Sequence, residues 1–213
     1  MEFSNKTLAW LVVGAIAIAM TGTILSINSL NMTGFVVVNT TGNASVSITT
    51  QTQLNFIVSA LSFGSGSVNG SGGYNCTMYI NKTTSPNIMQ AGGCVGFNIT
   101  NLGGVLTLEN DGNTIINVTL NFTANATDFI GGGGGPNPAP QFMFSASENE
   151  SGSCTSIHDT SWTTVVENVT QDICDGMNYV DTNDSLAVGL FVVLPSNTPQ
   201  GSKTVTILAQ GTG

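Results

Sequence analysis

The 213-residue sequence predicts a mainly β protein: an antiparallel β-sandwich of about ten strands, preceded by one long hydrophobic α-helix. Three observations carry this reading. Residues 7–30, TLAWLVVGAIAIAMTGTILSINSL, are uncharged and hold ten Leu, Ile and Val residues. Beyond them, short segments alternate apolar with polar residues, the period of a strand buried on one face. Clusters of Gly, Asn, Asp and Pro separate those segments, as turns do. The chain therefore divides into a hydrophobic helix, 1–30, and a β-sandwich, 31–213.

At about 1.5 Å per residue, the stretch 7–30 is long enough to cross a bilayer. It can serve as a cleaved signal peptide, with AIA at 17–19 as a weak cleavage motif, as a permanent anchor, or as a helix that packs with copies of itself. Ala15, Ala19, Gly22, Thr23 and Ser26 fall on one helical face. Small residues in such a stripe let helix backbones approach closely.

GFVVVN and SVSITTQTQ then read as strands, followed by LNFIVSALSF, in which Leu54, Phe56, Val58 and Ala60 alternate. GSGSVNGSGG, 64–73, reads as a flexible turn. CTMYI, GFNIT, VLTLEN and TIINVTLNFTANA are further strands, the last two joined as a hairpin through NDGN at 110–113. GGGGGPNPAP, 131–140, is a long loop within one domain rather than a linker, because the 73 residues after it supply too few strands for a second sandwich. Those strands are QFMFSAS, WTTVVENV, SLAVGLFVVLP and KTVTILAQ. Residues 186–194 are apolar at nearly every position, which predicts a central strand covered on both faces.

Only 7% of residues are charged, against about 25% in an ordinary soluble domain. Three lysines (Lys6, Lys82, Lys203) and no arginine leave a net charge of −9, which excludes a basic patch for nucleic acid. Ser, Thr, Asn and Gln make the polar surface instead. Beyond the helix there are thirteen N-x-[ST] sequons, at Asn31, Asn39, Asn43, Asn69, Asn75, Asn81, Asn98, Asn117, Asn121, Asn125, Asn149, Asn168 and Asn183. In NVTLNFTANATDF the phase is informative. Val118, Leu120, Phe122, Ala124 and Ala126 share one strand face, while Asn117, Thr119, Asn121, Thr123, Asn125 and Thr127 share the other. N-linked glycans on that polar face clear any core, and GFNIT (Phe97 and Ile99 against Asn98 and Thr100) repeats the pattern. Export to an extracellular, cell-surface location is the expectation. Four cysteines agree with it. They allow three connectivities, and the sequential one, Cys76–Cys94 with Cys154–Cys174, is favoured because each pair brackets one turn-rich loop.

Catalytic chemistry is scarce. His158 is the sole histidine, which removes multi-His metal sites, and no G-x-S-x-G elbow accompanies it. The glycine run is followed by no Lys-Ser/Thr pair to hold phosphate. Asp181, Asn183 and Asp184 offer oxygens that suit Ca²⁺, but the segment lacks the EF-hand glycine and glutamate, and Asn183 also starts a sequon. DICDG, 172–176, is weaker. A solvated turn is the ordinary reading of both, and neither an enzyme, a cofactor nor a metal is expected.

The order of parts resembles archaeal surface-filament subunits, the archaeal type IV pilins and archaellins: an apolar N-terminal helix running into a Thr/Ser/Asn-rich, sequon-laden β-sandwich with few charges. LTLENDGNTIINVTL and VLPSNTPQGSKTVTI are similar to strand-turn-strand segments of secreted β-sandwich proteins, including fibre-forming ones. The resemblance implies that copies of the helix bundle into a filament core while glycosylated sandwiches face outward. The partners it implies are further copies of the chain, with the membrane before assembly. A membrane-anchored coat or adhesin protein is the alternative.

Overall fold

The apolar run near the C-terminus organises the sheet around it. In a computed structural model that describes residues 49–69, 75–83, 87–88, 93–97, 104–135 and 137–213, it forms a strand of eleven residues. The expected helix over 7–30 with its stripe of Ala15, Ala19, Gly22, Thr23 and Ser26, the expected strand GFVVVN, and the sequons at Asn31, Asn39, Asn43 and Asn98 lie outside the described residues. Among the described residues the chain runs β1 (Leu54–Val58), β2 (Ser67–Val68), β3 (Asn75–Ile80), β4 (Asn87–Ile88), β5 (Cys94–Val95), β6 (Leu106–Asn110), β7 (Ile116–Phe122), α1 (Ala126–Phe129), β8 (Gln141–Glu148), β9 (Cys154–Ile157), β10 (Thr163–Thr164), β11 (Gln171–Met177), β12 (Ser185–Pro195) and β13 (Ile207–Thr212). The fold is mainly β, and its strands pair antiparallel in every sheet.

β12 lies at the centre of a seven-stranded sheet. One of its edges pairs with β8 from Leu186 to Val193. The other is shared: β6 covers Ser185 to Val188, and β3 takes over from Leu190 to Pro195. Gly189 sits at the handover. A Cβ there would lie 2.9 Å from the Ile80 carbonyl oxygen and 2.9 Å from Ser145 Oγ, so the close approach of three strands requires glycine. Leu186, Val188, Leu190 and Val192 point into the core. On the opposite face Ala187 and Val193 are buried too, and Phe191 packs with Tyr79 and Trp162 at centroid separations of 6.4 and 5.4 Å. The expected double burial of this strand is therefore present.

The second sheet has the order β13-β7-β11-β9. Its β7 supplies Ile116, Val118, Leu120 and Phe122 to the same core that the first sheet lines. Phe122 meets Phe142 and Phe144 of β8 at 5.7 and 5.2 Å, so the two sheets pack through an aromatic contact.

Several local expectations need correction. NDGN is not a hairpin: β6 belongs to the first sheet and β7 to the second, so 110–113 is a corner between sheets. The cause is Asn110, which is fully buried. Its Nδ2 reaches the carbonyls of Thr114, Met177 and Asn178 at 3.0, 3.3 and 2.9 Å, and its Oδ1 accepts from Gly112 N–H. The side chain thereby satisfies three carbonyls where the chain changes layers. DICDG is likewise no turn but lies within β11, between β7 and β9, with bulges on either side of Cys174 and Gly176 at φ +72. GSGSVNGSGG contributes β2, paired with β5, and residues 49–53 of SVSITTQTQ precede β1 without strand structure. WTTVVENV keeps only the two residues of β10. Thirteen strands among the described residues exceed the ten expected because four of them have only two residues.

The Gly/Pro loop lies inside one unit, Thr49–Gly213. Gly131 to Gly135 all take positive φ, from 62 to 86°, a conformation open to glycine at little cost. The run is pinned by Asn197, whose Oδ1 accepts from Gly133 N–H at 2.7 Å while its Nδ2 donates to Gly133 O at 3.0 Å.

Candidate functional site

Both sequential disulfides are present, with Cα separations of 4.7 Å for Cys76–Cys94 and 5.9 Å for Cys154–Cys174. The first ties β3 to β5; the second joins the adjacent strands β9 and β11. Closing loops of 18 and 20 residues, each restricts the unfolded chain by about 3 kcal/mol. Two bridges fit an oxidising compartment. Among the described residues no helix is long and apolar enough to cross a membrane.

The outer face of the second sheet holds the densest described group of sequons. Alternation along β7 buries Leu120 and Phe122 completely and turns Asn117, Thr119 and Asn121 outward. Across the strand gap, Asn117 stands opposite Thr212, Thr119 opposite Gln210, and Asn121 opposite Leu208. Asn117 Oδ1 accepts from Gly176 N–H, which orients the amide. The strand phase extends only to Phe122, however. Asn125, expected on the same face, is the N-cap of α1: its Oδ1 accepts from Thr127 and Asp128 N–H, and its Nδ2 donates to Asp128 and Glu167. A glycan on that nitrogen takes one of its two protons. Glu167 beside it is pushed above the usual carboxylate range, chiefly by its hydrogen bond with Asp128.

The other described sequons are dispersed. Asn75 opens β3 beside the Cys76 bridge, and Asn69 and Asn81 are half-buried. Asn149 donates to Ser185 Oγ at 2.9 Å. Asn168 is exposed at φ +55, and Asn183 is half-buried in the turn before β12. His158 is at the surface, with Nε2 2.9 Å from Asp175 Oδ2, and that hydrogen bond raises its pKa above the ordinary 6.5.

A second grouping joins residues far apart in sequence. Carboxylate oxygens of Glu109, Asp181 and Asp184 all lie within 4.8 Å of one another. The β6–β12 pairing sets Glu109 opposite Ser185, next to Asp184. Asp184 is held by both backbone groups: its carbonyl accepts from Asn110 N–H at 3.0 Å, and its N–H donates to Glu150 Oε2 at 3.1 Å. Burial first, and then Glu150 and Asp181, push the Asp184 carboxyl upward; burial followed by Asp184 does the same to Glu109. Of the sequence candidates Asp181, Asn183 and Asp184, the two aspartates belong to this group. Asn183 is not one of the three gathered carboxylates, and Glu109 and Glu150 were missed. Glu109 does carry a signal, being the first acidic residue after Glu2 in a nearly uncharged stretch, but its neighbours depend on strand pairing.

The chain matches no family model, no curated protein and no solved structure.

Proposed function

We propose that the protein is a structural subunit of an extracellular surface filament, polymerising through its N-terminal hydrophobic helix and presenting a glycosylated β-sandwich outward. The observation that carries this reading is the outer face of the second sheet. Two sequon asparagines, Asn117 and Asn121, project from a strand whose other face is fully buried; beside them stand Thr119, Gln210 and Thr212, together with exposed Leu208 and Asp172. Such a face is suited to sugars rather than to a tight protein core, and glycans also shield strand edges from pairing with other chains. The disulfides and the low charge content support a structural role outside the cell.

Assembly requires neighbouring subunits to cover the apolar stretch 7–30. Close helix approach along Ala15, Ala19, Gly22 and Ser26 leaves no room for a larger side chain. Ala19→Leu adds bulk to each contact, at a cost of about 1–3 kcal/mol per subunit. Electron microscopy of shed surface material is expected to show filaments from the wild type and few or none from Ala19→Leu, with the β unit still folded. In a lone membrane anchor the same change only adds lipid-compatible surface. Wild-type protein confined to membranes, without filaments, would favour the anchored coat or adhesin instead. Normal filaments from the variant would remove this packing face.

A further inference from the structure

We propose that the corner formed by Glu109, Asp181 and Asp184 binds a hard divalent cation, with Ca²⁺ the best fit. This goes beyond the filament reading and does not rest on it. The first support is geometric. Oxygens in a Ca²⁺ shell lie about 2.3–2.6 Å from the ion, so opposed ligands stand about 5 Å apart and adjacent ones about 3.5 Å. Three carboxylate oxygens within 4.8 Å of one another match that spread.

The second support is independent of the clustering. Asp184 is only 5% exposed, its carboxylate is one of the three, and its Oδ1 is buried with no hydrogen-bond partner. A buried carboxylate oxygen left without a donor is costly, and a cation between the three carboxylates removes that cost. No side-chain cation among the described residues does so. Their one ion pair is His158–Asp175, and Lys82 Nζ donates instead to the Glu148 and Asn149 carbonyls, both at 2.6 Å.

The chemistry of the ligands selects the ion. All are carboxylate oxygens, with no imidazole or thiolate to favour zinc or copper. They come from β6 and from the loop before β12, with Glu150 of the β8–β9 connection beside them. Glu150 Oε2 is engaged by Asp184 N–H, which leaves water to complete the shell. An irregular, partly open set of this kind suits Ca²⁺ better than Mg²⁺, which demands a near-octahedral shell at about 2.0–2.1 Å.

The test uses the full chain, with calorimetric titration by CaCl₂ and melting curves in chelator, CaCl₂, MgCl₂ and NaCl of matched ionic strength. The wild type is expected to bind one Ca²⁺ with a Kd on the order of 10⁻⁴–10⁻³ M, the range of extracellular modules. Its Tm should rise by several degrees in Ca²⁺ and by clearly less in Mg²⁺. Asp181→Asn, at an exposed position, and Glu109→Gln should each weaken Ca²⁺ binding roughly tenfold or more. Both should lose the Tm rise while melting in chelator no lower than the wild type, because like-charge repulsion is relieved. Asp184→Asn should abolish binding; if it fails to fold, the other two variants decide. Absence of heat and of a Tm shift at millimolar Ca²⁺ would overturn the proposal. So would equal shifts in Ca²⁺, Mg²⁺ and NaCl, which mean screening alone, or an unchanged Ca²⁺ response in both Asp181→Asn and Glu109→Gln.

Discussion

β12 and β7 each lie between two neighbours in their sheets, and each sends every second side chain into the same core. They differ on the other face. In β12 the residues between the core positions are Ala187, Gly189, Phe191 and Val193, and both Ala187 and Val193 are buried. In β7 they are Asn117, Thr119 and Asn121, which point outward. A continuous apolar run accordingly reports two covered faces and an alternating one reports a single covered face. The difference also separates roles: one strand is scaffold throughout, while the other is scaffold on one side and surface on the other.

The sharpest way to break this comparison is to place the same charge on the second face of each sheet. Ala187→Lys buries an unpaired ammonium and is expected to cost more than about 3 kcal/mol, enough to prevent folding. Gln210→Lys, opposite Thr119 on the outer face of the second sheet, leaves every sequon intact and should stay within about 0.5 kcal/mol of the wild type. Urea denaturation of the three proteins measures this. Equal tolerance at both positions would mean that the far face of β12 is not packed.

A smaller effect sharpens the relation between the sheets. Asn110→Ala leaves the carbonyls of Thr114, Met177 and Asn178 without their side-chain donor and should cost about 1–3 kcal/mol. Asp111→Ala, one residue on and, among the described residues, hydrogen-bonded only to Asn55 at the surface, should cost less than about 0.5 kcal/mol. Equal losses would show that the corner is held by its turn conformation and not by the buried amide.

The least effect is expected at β11, beside β7, where His158 meets Asp175. The folded-state pKa of His158 lies above its ordinary 6.5, so the stabilisation is fully present below that value and is lost as pH rises through the raised one. An NMR titration should show the shift in the wild type and its collapse in Asp175→Asn. A His158 pKa indifferent to that substitution would remove the pair.

Local pattern carried far along some elements and failed at others for identifiable reasons. Leu186 to Leu194 announced a doubly buried strand because nearly every position obeys one rule. Residues 117–122 announced their register because a slip of one residue would bury asparagine. The same alternation was extended to Asn125, where it was wrong: side-chain capping by that asparagine ends the strand and starts α1. NDG has the composition of a hairpin turn, but whether it joins neighbours in one sheet or crosses between two depends on where Asn110 finds its acceptors. DICDG, a weak metal candidate with a solvated turn as its ordinary reading, instead has Ile173 and Cys174 buried, and neighbouring strands pair with it.

By itself the sequence determined the mainly β class, the low-charge sequon-rich composition and the burial of β7 and β12, and it favoured one of three disulfide pairings, because each is set by residues close in the chain or by composition. Tertiary structure alone decided that β6 and β3 share one edge of β12 through Gly189, that Asn110 turns the chain between sheets, and that Glu109 meets Asp181 and Asp184. Each of these depends on strands paired across long stretches of sequence, and local periodicity carries no information about which strand a given edge will meet.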